Sequence, residues 1–180
     1  MARFGLRWLA LASVLSLSAA SLSQDVDSQS PAEHGTARPW HHVEPDHAMA
    51  LLELLPESRA GYRSDSNVAG LRQTEEVVIE QLRTLGYEPQ TQEVPRPERI
   101  ALLTPEESPT PRNIWVDLQG QGERANEMLI MMAHIDAVPG RPGVDDNATG
   151  VAALFEMARQ LQDRPRERTV RLQSTPHEET

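Results

Sequence analysis

The 180-residue sequence contains no cysteine, and no lysine appears anywhere in it. The first absence excludes disulfide frameworks, thiolate metal ligands and cysteine nucleophiles. The second leaves arginine to supply all 17 basic side chains. Aromatic residues make up only 4% of the chain, so any core is aliphatic and modest. Cations are also outnumbered: 17 basic residues face 27 acidic ones, and the first acidic residue is Asp25. Without the first 20 residues, 15 basic groups stand against 27 acidic ones, a net charge of −12. Such a surface repels phosphate backbones and argues against nucleic-acid partners. No apolar run approaches the roughly 20 residues that a membrane-spanning helix needs, so no stable membrane anchor is expected.

The beginning of the chain reads as a secretory signal over residues 1–20. Arg3 and Arg7 give a positive start, Trp8 to Leu17 is apolar, and Ser18-Ala19-Ala20 offers small residues for cleavage. The mature product is then expected to be secreted or periplasmic. Residues 21–45 are polar, without an apolar period, and read as a linker. Residues 46–180 hold the folded domain.

Two amphipathic helices open that domain. Asp46 is placed to cap the first, which Pro56 stops. The second starts near Ser66 or Asn67. Val68, Leu71, Val78, Leu82 and Leu85 recur at helical spacing with a gap at Glu75, and Gly86 supplies the stop. Tyr87 to Val94, broken by Pro89, suits an edge strand. Five prolines between residues 95 and 111 predict a loop. Asn113 to Leu118 reads as a strand. The continuous apolar run Met128 to Ala133 predicts a strand buried on both faces. A helix with Val151, Leu154, Phe155, Ala158 and Leu161 on one face follows, then a strand over Thr169 to Gln173. The strand–loop–helix–strand order is a βαβ unit. The expected class is therefore α/β, with a mostly parallel sheet flanked by helices.

Three polar clusters fall where such sheets bind ligands, beyond the carboxyl ends of strands. They are His134-Ile135-Asp136, then Gly143 to Gly150 with Asp145-Asp146-Asn147, then His177-Glu178-Glu179. Singly, each has a plain structural reading: a bonded histidine, a helix cap, a solvated acidic pair. Together, several carboxylates at one sheet edge repel one another unless a cation compensates them. One imidazole with several carboxylates and no thiolate suits zinc or a similar divalent ion. Residues two apart in a strand point the same way, so Asp136 can accept the second ring N–H of His134 and fix its tautomer. An aspartate in the loop can bridge two ions. Of two adjacent glutamates, one can bind metal while the other moves a proton.

The series H-I-D, G-V-D-D-N-A-T-G-V-A-A-L-F-E-M-A-R and H-E-E resembles the co-catalytic di-zinc aminopeptidase family, which includes secreted bacterial leucine aminopeptidases and glutamate carboxypeptidase-like enzymes. The resemblance covers roughly residues 113–179, and the G-x-D-D-N-x-[ST]-G box is its most specific element. It implies a zinc-exopeptidase fold with two zinc ions. It also implies that His134 ligates one ion with Asp136 orienting it, Asp146 bridges both, Glu178 is the general base and Glu179 ligates the other. Asp145 would shape the loop, and His177 has no assigned role. The implied activity is removal of N-terminal residues from peptides by metal-activated water, with peptide substrates as the partners and the oligomeric state left open.

The family supplies two further ligands, an aspartate and a histidine, at positions later than Glu179. The expectation is therefore a front part of a longer enzyme, inactive alone, whose final strand forms an exposed apolar edge. Two other readings stay open. His134-Ile135-Asp136-Ala137-Val138-Pro139 echoes the H-x-D-x-V-P pattern of related di-zinc carboxypeptidases and deacylases. A glutaminyl cyclase shares the scaffold but uses one zinc for acyl transfer. A binding module that has lost catalysis fits less well, since every ligand expected by residue 180 is present.

Overall fold

The computed structural model describes residues 44–180. The signal-peptide expectation and nearly all of the linker lie outside them. Among the described residues no helix is long and apolar enough to cross a membrane.

Helix α1 runs Pro45–Leu54, with Pro at its first position and Glu44 as the capping residue. Asp46 thus sits in the first turn, where its charge suits the helix dipole, and does not cap. Helix α2 spans Asp65–Thr84 and begins one or two residues earlier than the expected start near Ser66 or Asn67. Its cap is Ser64, whose side chain accepts the Asn67 amide at 3.3 Å. Gly86 ends it at φ +82°. The gap at Glu75 has a direct cause. That carboxylate is only 1% exposed and accepts three bonds, from Arg72 Nη1 at 2.6 Å and from the Arg112 amide and Nε at 2.8 Å each. It ties α2 to the start of a strand.

Among the described residues, four strands form one sheet in the order β1-β2-β4-β3: Gln90–Glu93, Arg112–Leu118, Thr169–Thr175 and Met128–His134. A short helix, α3 (Glu98–Ala101), interrupts the proline-rich segment where a plain loop was expected. β3 and β4 are parallel, joined through helix α4 (Thr149–Leu161) as the βαβ pattern requires. β1–β2 and β2–β4 are antiparallel. The sheet is therefore mixed, and the expected mostly parallel pairing is corrected within an α/β architecture that holds.

Ile114, Val116, Leu118, Val170 and Leu172 point from the sheet into one core with Leu71, Val78 and Leu82 of α2 and Val151, Leu154 and Ala158 of α4. Two further expectations are corrected at β3. Its run is not buried on both faces: Met128, Leu129, Ile130 and Met132 are all about half exposed or more, Met132 at 65%. Among the described residues β3 pairs with β4 alone, so it is the apolar edge there. The final strand, expected to be that edge, lies between β2 and β3. An unbroken apolar run records hydrophobicity but not which neighbours arrive, and periodicity cannot separate a central strand from an edge one.

Candidate metal centre

β3 and β4 finish side by side, His134 opposite Thr175. The polar residues of the three sequence clusters are carried at or just beyond those two ends, and on the turn that leads into α4. Ile135 extends the alignment by donating its amide to the Thr175 carbonyl at 2.8 Å.

The turn Val144–Ala148 is built by its own sequence. Gly143 stands at φ +58°, and its carbonyl accepts the Ala148 amide at 3.1 Å, closing a wide helical turn around Asp146. Asp146 and Asn147 have non-helical dihedrals inside it, and the peptide between them is cis. Asn147 then caps α4 with its side-chain oxygen, which accepts the Gly150 amide at 3.1 Å. A Cβ on Gly150 would run into that same Asn147 side chain, so the final glycine of the box is required by the cap beside it. The Asp145 main-chain carbonyl accepts the Thr149 hydroxyl at 3.1 Å.

His134 is buried, and its Nε2 lies 2.9 Å from Asp146 Oδ1 and 4.0 Å from Glu178 Oε2. One donor atom each from His134, Asp146 and Glu179 lies within 4.8 Å of the others. The sequence-predicted residues are thus brought together. Asp146 and Glu178 keep side chains 77% and 62% exposed, so the cluster opens to solvent on one side.

Asp136 is 1% exposed and does more than the sequence suggested. The nearer acceptor for His134 Nδ1 is the Asp136 main-chain oxygen at 3.2 Å, with its carboxylate at 3.4 Å. The carboxylate is engaged elsewhere: Oδ1 accepts the Glu178 amide at 3.2 Å and Oδ2 accepts the Glu179 amide at 3.0 Å. One buried carboxylate therefore fixes the backbone of both glutamates and faces the histidine. That double acceptance is invisible in the spacing of residues 42 and 43 apart.

Charge completes the picture. Burial pushes the Glu179 carboxyl above its usual 4.5, and Asp146 and Glu178 push it further in the same direction. Anions held this close, one of them partly desolvated, are relieved by a cation. The donor set fits zinc: one imidazole nitrogen and carboxylate oxygens, with a buried partner behind the histidine. His177 packs against Gly61, and burial holds its imidazole below 6.5, against the opposing pull of Asp136.

Sequence reasoning missed Arg59. It is 3% exposed and binds the loops of the site through main-chain oxygens alone. It lies between two helices with no periodicity to mark it, and only its distant partners reveal it.

Comparison with known proteins finds relatives for the same part of the chain. Residues 113–180 match Peptidase family M28. The "Probable lipoprotein aminopeptidase LpqL" of Mycobacterium tuberculosis is 33% identical over 88 residues, which are 49% of this chain and 17% of that protein. BSAP, a zinc aminopeptidase from Bacillus subtilis, superposes with a TM-score of 0.57 at 12% identity, over 74% of this chain and 61% of that one. The glutaminyl cyclase of Macrostomum lignano gives a TM-score of 0.53 at 20% identity, over 73% of this chain and 37% of that one. At such identities the two structural likenesses concern the fold. The chain spans about one sixth of the curated relative and between about a third and two thirds of these two solved structures. The segment similar to Peptidase family M28, residues 113–180, is the one that carries the H-x-D, the D-D-N-A-T-G box and the glutamate pair.

Proposed function

We propose that this protein is an exported zinc-dependent aminopeptidase, with two zinc ions at the cluster. His134 and Glu179 would each hold one ion, and Asp146 would bridge them. The observation that carries the reading is the convergence of His134, Asp146 and Glu179 donor atoms with the Glu178 carboxylate beside them. Zinc held there would supply Lewis acidity for water and for the carbonyl oxygen. The protein's own groups do the rest. Asp136 holds the two glutamate amides, so both carboxylates face His134. Glu178 is the exposed one and is free to take a proton from the attacking water and return it to the leaving amine. The signal-like composition of residues 1–20 and the lipoprotein description of the mycobacterial relative support export to the cell envelope or beyond it.

With Asp146 shared, each ion has two protein ligands among the described residues, where a catalytic zinc normally takes three. On this ligand count the 180-residue chain binds metal and turns over peptide poorly.

The test therefore measures binding first. A peptide hydroxamate with a free α-amine is expected to bind the zinc-loaded chain more tightly than its N-acetyl form, and chelation removes the difference. Preference for the N-acyl form favours the carboxypeptidase or deacylase reading. Slow cyclisation of a peptide with N-terminal glutamine favours the cyclase, the reading that the shared fold with glutaminyl cyclases keeps in play. Fast zinc-dependent hydrolysis by the 180-residue chain contradicts the ligand count.

A further inference from the structure

We propose that Arg59 is the positioning residue that clamps the Asp146 turn against the end of β3. The guanidinium donates to four main-chain carbonyls and to no carboxylate. Nε reaches Ile135 O at 3.0 Å, one residue beyond β3. Nη1 reaches Pro56 O at 2.9 Å and Pro142 O at 2.8 Å. Nη2 reaches Gly143 O at 2.8 Å. Gly143 O is also the acceptor of the Ala148 amide that closes the turn. One side chain thus joins the histidine strand to both residues that enter the aspartate turn.

The clamp has a fixed base. Ser58 donates its hydroxyl to Asn67 of α2, and Asn67 Nδ2 donates to Tyr62 O at 3.1 Å. A Cβ on Gly70 would overlap the Ser58 carbonyl, so the segment lies directly on the helix. The fit is equally close at the other end, where a Cβ on Gly143 would stand 2.7 Å from Arg59 Nη2 and 2.6 Å from the Ala137 Cβ. Only a planar fork with five donors satisfies carbonyls on three separate stretches of chain. An ammonium with three donors at one point does not. Burial opposes the charge of Arg59, and Asp136 is the anion that offsets this.

The sign of the effect separates a clamp from a charge. A buried cation near a metal site repels the metal, so a residue acting by charge alone weakens zinc binding and its removal strengthens it. A residue acting by geometry strengthens binding, and its removal weakens it by the amount typical of groups behind metal ligands, about 10–100-fold.

This inference rests on the proposed metal site, so the experiment has one arm without metal. Arg59→Lys keeps the charge and loses the fork; Arg59→Met loses both. In the metal-free 180-residue chain, hydrogen exchange across residues 137–148 is expected to rise about tenfold or more in both variants, with β4 amides little changed. Zinc dissociation constants, measured by chelator competition on the folded protein, are expected to rise about 10–100-fold in both. Glu75→Gln serves as the purely structural comparison, because Glu75 bonds Arg72 and Arg112 and no part of the turn. It should lower the melting temperature and leave zinc affinity alone. Where Arg59→Met does not fold, Arg59→Lys carries the test. Tighter zinc binding in Arg59→Met with none lost in Arg59→Lys overturns the clamp. So does exchange in 137–148 that rises no more than in β4. A parent chain that binds no zinc contradicts the metal site instead, and the metal-free exchange still decides the clamp.

Discussion

Replacing Asp136 by Asn changes one atom and tests the organisation of the whole site. The carboxylate is 1% exposed, so water cannot take over a bond that it loses. It accepts two amides, from Glu178 at 3.2 Å and Glu179 at 3.0 Å. Hydrogen bonds to a charged acceptor contribute about 1.5–3 kcal/mol each. Asn keeps one acceptor oxygen and turns an NH2 group towards the second amide. One bond is lost, the other becomes neutral and weaker, and Arg59 loses its offsetting anion. The sum is about 3 kcal/mol of stability. Read by circular dichroism, the urea midpoint of the metal-free chain should fall by about 1–2 M for a slope of about 2 kcal/mol/M. Zinc affinity should fall about 10–100-fold. His134 keeps its bond to the Asp136 main-chain oxygen, so the loss reports mainly on the glutamate pair. An unchanged midpoint, or a lowered midpoint with unchanged zinc affinity, refutes the reasoning that Asp136 sets the two glutamates.

Three further outcomes follow from the same geometry. Gly150→Ala collides with the Asn147 side chain, so it should lower stability by about 1–3 kcal/mol and weaken zinc binding, read by thermal melting and metal titration. Glu75→Ala leaves the Arg112 amide and Nε without their acceptor, while Nη2 keeps Glu76, and should cost about 3 kcal/mol in denaturant unfolding. The bond from Arg159 holds the Glu156 carboxyl below 4.5. A lowered carboxyl stabilises the fold above its unfolded value, and the contribution is lost as pH falls through the lowered folded value. The melting-temperature advantage of the wild-type chain over Glu156→Gln should therefore hold near neutral pH and vanish progressively below about 4.5.

The sequence made the site legible because its chemistry is compact. His134 and Asp136 are two apart, the D-D-N-A-T-G box is contiguous, and the glutamates are adjacent. The βαβ unit, readable from patterning, obliges those pieces to meet at one edge. What stayed hidden depends on partners distant in sequence. Arg59 reaches carbonyls 76 to 84 residues away, and main-chain oxygens carry no sequence label. Glu75 looked like a defect in a helical stripe, although it is the buried acceptor for a strand 37 residues later. The direction of β2 was equally unreadable, because nothing in Arg112 to Leu118 says which strand it joins. β3 misled for a related reason: Met128 to Met132 are apolar enough for a central strand, and only the pairing shows an edge.

A cation is expected to neutralise the carboxylates gathered beyond β3 and β4. The direct measurement is equilibrium dialysis of the metal-depleted 180-residue chain against zinc, beside the His134→Ala, Asp146→Asn and Glu179→Gln variants. Saturable uptake by the parent, weakened at least about tenfold in each variant, is the expected result. No uptake by the parent, or uptake that survives all three substitutions unchanged, contradicts it.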